Sequence, residues 1–380
     1  MFALQNAKGV PLTRAYAKTR SRWEPLYEVT QMMGDSESHP VLSPDDEFAD
    51  YETFPVTALT DSQRQERLRL MKKRNYTDYQ RWLEQNSEND KNWRLTYNYA
   101  RSALKLGLQQ QSKLSVNPFK FGLIGSTDGH TALASADENN YWGKAYGAEP
   151  SAERITKDWW RPASGYAAIW ATENTRKALF NAMKRKETYA TTGPRMTVRF
   201  FGGWDYETAD AQRPDFARIG YNKGVPMGGD LTYSPKGKSP SFLIRAVKDS
   251  DGANLDRIQV IKGWHDKQGK LHEKIYNVAL SDGRKEGKEG KIPLVGSTVN
   301  VKDTSYTNSI GDPELAVVWQ DPDFDKDELA FYYVRVLEIP TPRWTAYDAK
   351  FFGLKNIPEE VPMVTQERAY TSPIWYTPDK

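Results

Sequence analysis

Apolar and polar positions along this chain change period near residue 196. Before it the pattern is helical. Tyr97, Ala100, Leu104 and Leu108, with Ala103 and Gly107 beside them, form one apolar stripe that predicts a helix from Trp93 to Leu114. Asn117-Pro118 stops it, and the run Phe119–Ile124 reads as a short buried strand. A second helix is expected over Glu173–Lys186, capped by Thr172, with Leu179, Phe180 and Met183 on its apolar face. Thr188–Arg195 then reads as a turn into a strand at Met196–Phe201. After it the period falls to two. Ser241–Val247, Ile258–Trp264, Leu271–Val278 and Leu329–Ile339 predict β-strands, with a hairpin turn at His265–Lys270.

The first sixty residues are harder to place. Leu26–Thr30 reads as a weakly alternating strand. Ser43-Pro44-Asp45-Asp46 has the form of a helix start, with Ser43 as cap and Pro44 in the first turn. Thr60–Asn92 is charged and helical by composition. Together these elements predict an α/β region over 1–195, a β-sandwich-like region over 196–340, and a tail over 341–380 packed on both.

Composition narrows the partners. Fifty-three Lys and Arg balance fifty Asp and Glu, which gives no support to a nucleic-acid binder. The basic-aromatic run Arg67–Trp82 is interrupted by Asp78, and is expected to be a solvated helix face. With no Cys, disulfides, thiolate metal sites and Cys nucleophiles are excluded. No apolar run reaches a membrane-spanning length, and Met1–Arg20 lacks the apolar core of a signal peptide. Phosphate-binding Gly loops and a Gly-x-Ser-x-Gly elbow are also absent.

The chemistry concentrates at residues 121–130. The strand ends in Gly125-Ser126-Thr127 and then presents Asp128 and His130 with one residue between them. Alternate residues of an extended chain point the same way, so this pair can share one metal ion. A hydrolytic metal site uses about three protein ligands plus water. Further candidates are Glu28, Glu37 and His39. Arg195, fixed in direction by Gly193-Pro194, is a candidate anion clamp, with a structural ion pair as the equal alternative. His265 and His272 flank a Lys- and Gly-rich turn and are expected at the surface. Asp321, Asp323, Asp325 and Asp327 imitate a calcium loop, but Lys326 stands where that loop needs Gly.

Several segments carry a resemblance: Trp23–Gln31, Ser38-His39-Pro40, Tyr99–Leu104, Asn117–Lys120, Gly125–His130, Thr191–Arg195 and Arg368–Trp375. In this order they resemble an uncharacterised bacterial family, domain of unknown function 3604. That family is similar to the polymerase-and-histidinol-phosphatase (PHP) superfamily of distorted β/α barrels. The resemblance implies divalent metal ions (zinc, manganese or iron), hydrolysis of a phosphate ester or similar anionic ester, and metal ligation by Asp128 and His130. It also implies that the chain corresponds to the C-terminal part of such a barrel. The His-x-His and other ligands of the family's first strands have no counterpart here, so the site is expected to be incomplete and the chain to have little activity alone. Intact relatives look exported. The alternative is a non-catalytic module whose β-rich part binds a glycan or a protein.

Overall fold

The computed structural model describes residues 1–378 apart from Ala7, 54–92, Tyr233 and 288–290. The expectations for Thr60–Asn92 and Arg67–Trp82 therefore lie outside the described residues.

The chain opens with helix α1 (Arg14–Trp23) and strand β1 (Leu26–Gln31), which turns back on the two-residue β2 (Gly34–Asp35). Helix α2 (Ala100–Leu114) leads to β3 (Gly122–Gly125), parallel to β1. A long loop passes to β4 (Tyr166–Ile169), α3 (Arg176–Arg185) and β5 (Thr188–Thr191). Next come β6 (Thr197–Gly203), α4 (Phe216–Lys223), β7 (Gly224–Pro226), β8 (Asp230–Leu231) and β9 (Ser241–Val247). The hairpin β10 (Leu255–His265) and β11 (Leu271–Leu280) precedes β12 (Glu314–Gln320) and β13 (Leu329–Glu338). The last stretch holds β14 (Thr341–Pro342), α5 (Trp344–Phe351), β15 (Val364–Thr365), β16 (Arg368–Thr371) and β17 (Ile374–Tyr376).

The result is an α/β protein with mixed sheets, richer in strand (28%) than in helix (20%). The central sheet runs β11-β10-β13-β16-β5-β4, with β17 pairing β13 and β8. A second sheet, β12-β9-β6-β7, covers one of its faces. Helix α2 and the small β2-β1-β3 sheet cover the other. Among the described residues no sheet closes into a barrel. The central sheet takes strands from all three segments, 1–195, 196–340 and 341–380.

Strand β13 shows why the layers hold. Its residues alternate between two cores. Ala330, Tyr332, Val334 and Val336 join Phe200, Phe242 and Ile244 of the second sheet. Phe331 and Tyr333 join Ala103, Leu104 and Leu108 of α2. Each large apolar side chain so buried contributes roughly 1.5–3 kcal/mol. Gly263 lies opposite Phe331, where a Cβ would approach the ring to 2.3 Å. On the α2 side, β3 meets the central sheet through hydroxyls. Leu123 N donates to Ser372 Oγ (2.9 Å) and Leu123 O accepts from Thr188 Oγ1 (3.0 Å). Those side chains satisfy backbone groups that would otherwise be buried without partners.

Several local expectations change. The segment from Ser43 runs as turns, with no helix. Ser43 accepts from Ser38 Oγ (2.9 Å), and Asp46 is drawn inward by Arg101 and Arg335. The expected Trp93–Leu114 helix breaks before Ala100. The next helix begins at Arg176 behind Thr175, whose hydroxyl caps Ala178 N. Its buried positions are Ala178 and Ala182, while Phe180 stands 61% exposed. Thr188–Thr191 is a strand, because β4 and β16 supply it with partners on its two sides. The tail, expected as a cover, places β16 and β17 inside the central sheet.

Candidate functional site

The parallel pair β1 and β3 delivers the loop that carries Asp128 and His130. Past the end of β3 the chain still follows β1, through Ser126 N to Thr30 O (3.1 Å) and Met32 N to Thr127 O (3.4 Å). Asp128 then takes a left-handed φ of 54°, a conformation Asp tolerates better than most residues. His130 is anchored by its N–H to Lys144 O (2.6 Å). The result brings the two side chains together: His130 Nε2 lies 2.9 Å from Asp128 Oδ1. The Lys144 ammonium donates to the other Asp128 oxygen.

Two more charges reach this point. Burial lowers the pKa of Lys144, Arg161 lowers it further, and Glu28 acts in the opposite direction. Arg161 is held by Asp158 (3.1 Å) and lies over the Trp160 ring at 4.1 Å. Glu28 is exposed on β1 and borders a cleft of about 470 Å³ with Leu26, Tyr27, Gln31 and Tyr99. The loop beyond the carboxyl ends of a parallel pair thus joins a carboxylate, an imidazole and an ammonium, with Arg161 and mid-strand Glu28 within electrostatic reach of Lys144. In open α/β sheets this is where ligands bind.

These residues do not by themselves fit a metal ion. Among the described residues no three His, Asp or Glu side chains converge on one point. Asp128 and His130 bond to each other, and the charge that Asp128 faces is the Lys144 ammonium.

The other sequence candidates lie elsewhere. Glu37 is buried between Arg101 (3.1 Å) and Arg335 (3.2 Å) and accepts from Tyr333. The His39 ring packs on Tyr99 at 5.2 Å and its Nδ1 accepts from Val41 N (3.2 Å), while burial lowers its pKa. Arg195 follows Gly193, whose φ of 156° excludes other residues. Its N–H donates to Asp249 (2.6 Å) and its guanidinium sits 5.7 Å from the Tyr166 ring. That places it at a different opening, a cavity of about 320 Å³. The acidic run Asp321–Asp327 pairs with Lys262, Lys274 and Lys267.

Sequence reading missed Lys144 and Arg161, which sit in a loop region without periodicity. It also missed Glu138, Glu338 and Glu367, which line the cavity beside Arg195. Glu338 did carry a signal: a lone carboxylate in the apolar run Leu329–Ile339.

Residues 1–378 match the family described as "Protein of unknown function (DUF3604)". No curated protein matches the chain. Among the described residues no helix is long and apolar enough to cross a membrane.

Proposed function

Since the chain belongs to this family over nearly its whole length, we propose that its Asp128–His130 loop forms one wall of a hydrolytic site for small anionic esters. The relationship to PHP-like metallohydrolases belongs to the same reading. One observation carries it: Asp128, His130 and Lys144 meet just past the carboxyl ends of the parallel strands β1 and β3, with Arg161 and Glu28 within electrostatic reach of Lys144. Lys144 and Arg161 offer positive charge to a phosphate-like oxyanion. The hydrogen bond from His130 Nε2 to the Asp128 carboxylate orients the imidazole, a group that can move a proton. A divalent ion (zinc, manganese or iron) enters this reading only with ligands beyond Asp128 and His130. The chain alone is therefore expected to hydrolyse little.

The test is an assay of the pure chain, with Mn²⁺ or Zn²⁺, on p-nitrophenyl phosphate and its bis ester. Turnover at background is expected, with weak calorimetric metal binding that His130→Ala removes. Robust turnover would overturn the insufficiency of the site, and metal binding that persists unchanged in His130→Ala would overturn its location. The second reading, a binding module, is favoured by one observation: the acid-lined cavity beside Arg195.

A further inference from the structure

The cavity of about 320 Å³ lies where the loop around Glu138, the 249–253 turn, the end of β13 and the start of β16 meet. Six acidic residues line it against a single basic one, Arg195. An acidic lining alone proves nothing, since a solvated rim would look the same. The decisive group is Glu338. It is the last residue of β13, it is 1% exposed, and neither carboxylate oxygen has a hydrogen-bond partner. Its backbone is fixed on both sides, N–H to Glu367 O (2.9 Å) and C=O from Gln366 Nε2 (2.8 Å). Oε1 lies beside Gly252, another lining residue, 3.5 Å from where a Cβ there would stand. The carboxylate is therefore aimed into the cavity.

The neighbouring cation does not satisfy it. Lys248 spends its ammonium on the carbonyls of Asp249 (2.8 Å), Gly252 (3.0 Å) and Ser250 (3.3 Å). A buried carboxylate without a partner is costly, and either a proton or a ligand cation relieves it. Burial raises the pKa of Glu338, with Asp249 adding to the effect. It does the same to Glu138 and takes Glu367 up to about 7. These groups hold negative charge poorly until a positive charge arrives.

The lining also bears on the kind of cation. The volume is about ten times the ~30 Å³ share of one water, too large for a bare ion. Among the described residues no three carboxylates converge as metal ligands would. Tyr306 and Tyr347, both half-buried, border the cavity, Tyr306 within electrostatic reach of Glu338 and Tyr347 of Glu138. Aromatic walls beside a carboxylate suit an organic cation. We propose that this cavity binds a small organic cation, a protonated amine or a guanidinium, whose charged head pairs with Glu338 and whose stem contacts Tyr306 and Tyr347. Arg195 at the rim disfavours a second positive charge and suits an anionic tail.

Calorimetry on the whole chain with arginine and butylamine tests this. Both should bind, and Glu338→Gln, nearly the same shape, should weaken each about tenfold or more. Tyr306→Ala, a second variant on a half-buried residue, should also weaken them, while Asp128→Asn should change nothing. The proposal falls if neither probe binds at tens of millimolar. It falls equally if a folded Glu338→Gln or Tyr306→Ala binds as well as the parent. Mn²⁺ or Ca²⁺ binding through Glu338 in place of the amines would also overturn it.

Discussion

Two buried charged clusters hang from the same strand, β13, and they are built in opposite ways. Around Arg335 every charge has a partner: Asp46 on two guanidinium nitrogens (2.6 and 3.0 Å), Glu37 at 3.2 Å, and Gln259 on Nε (2.9 Å). Arg101 completes the ring with Asp46 (2.7 Å), Tyr333 (2.8 Å) and Glu273 (3.2 Å). Burial pushes the Asp46 carboxyl up, yet Arg335 and Arg101 together hold it well below the usual range. Three residues further on, Glu338 has no partner at all. The first cluster is closed and joins the 37–46 segment to the sheet. The second is open and asks for something from outside. Both are equally buried, so pairing is what separates them.

Four perturbations bear on this contrast. The largest effect is expected for Arg335→Met, which leaves Glu37 and Asp46 facing Arg101 alone. Breaking a buried pair costs about 3–5 kcal/mol, read as a fall in the urea midpoint. A loss under about 1 kcal/mol would show that the closed cluster is no tie. The second is pH. Glu367, raised by burial to about 7, contributes stability that is present below its ordinary carboxylate value and is lost as pH rises through about 7. Asp35, also taken to about 7 by burial and then by Glu37, has the same sign. Asp46 has the opposite sign, its contribution being lost only in acid. Urea unfolding should therefore become easier between about pH 4.5 and 7, by up to a few kcal/mol, and Glu367→Gln should flatten that slope. A flat parent profile would remove the contrast.

Third, Glu338→Gln should be neutral or stabilising by about 1 kcal/mol, since it removes an unpaired charge and keeps the shape. Marked destabilisation in thermal melts would mean that Glu338 already has a partner. The smallest effect is expected at the exposed loop. His130→Ala should move stability by no more than about 0.5 kcal/mol, so any activity change there reports chemistry alone.

Local pattern accounts for the parts of this molecule that sequence reading placed well. Ala100, Leu104 and Leu108 repeat at helical spacing and are buried in α2. The strands β9, β10 and β13 show their period directly, and Gly269 marks the hairpin turn. What failed depended on distant partners. Thr188–Thr191 becomes a strand because it pairs with Tyr166–Ile169 on one side and with Ala369–Thr371, far along the chain, on the other. The Ser43 segment loses its helix to arginines on α2 and β13. The candidate site divides the same way. Asp128 and His130 meet because they are neighbours in sequence. Arg195 was flagged by its rigid Gly-Pro approach, but its surroundings come from segments near 138, 251, 306 and 367 and from Tyr347 on α5.

The position of β16 has a consequence for the life of the chain on the ribosome. This strand lies between β13 and β5, yet it is made long after β5 is complete. At roughly 5–20 residues per second, the open edge of β5 waits on the order of ten seconds or more for its neighbour. Unpaired edges recruit other chains. A nascent chain must therefore be shielded until Arg368–Thr371 emerges, and a translation stop before that point would release a polypeptide with two bare edges in the middle of its largest sheet.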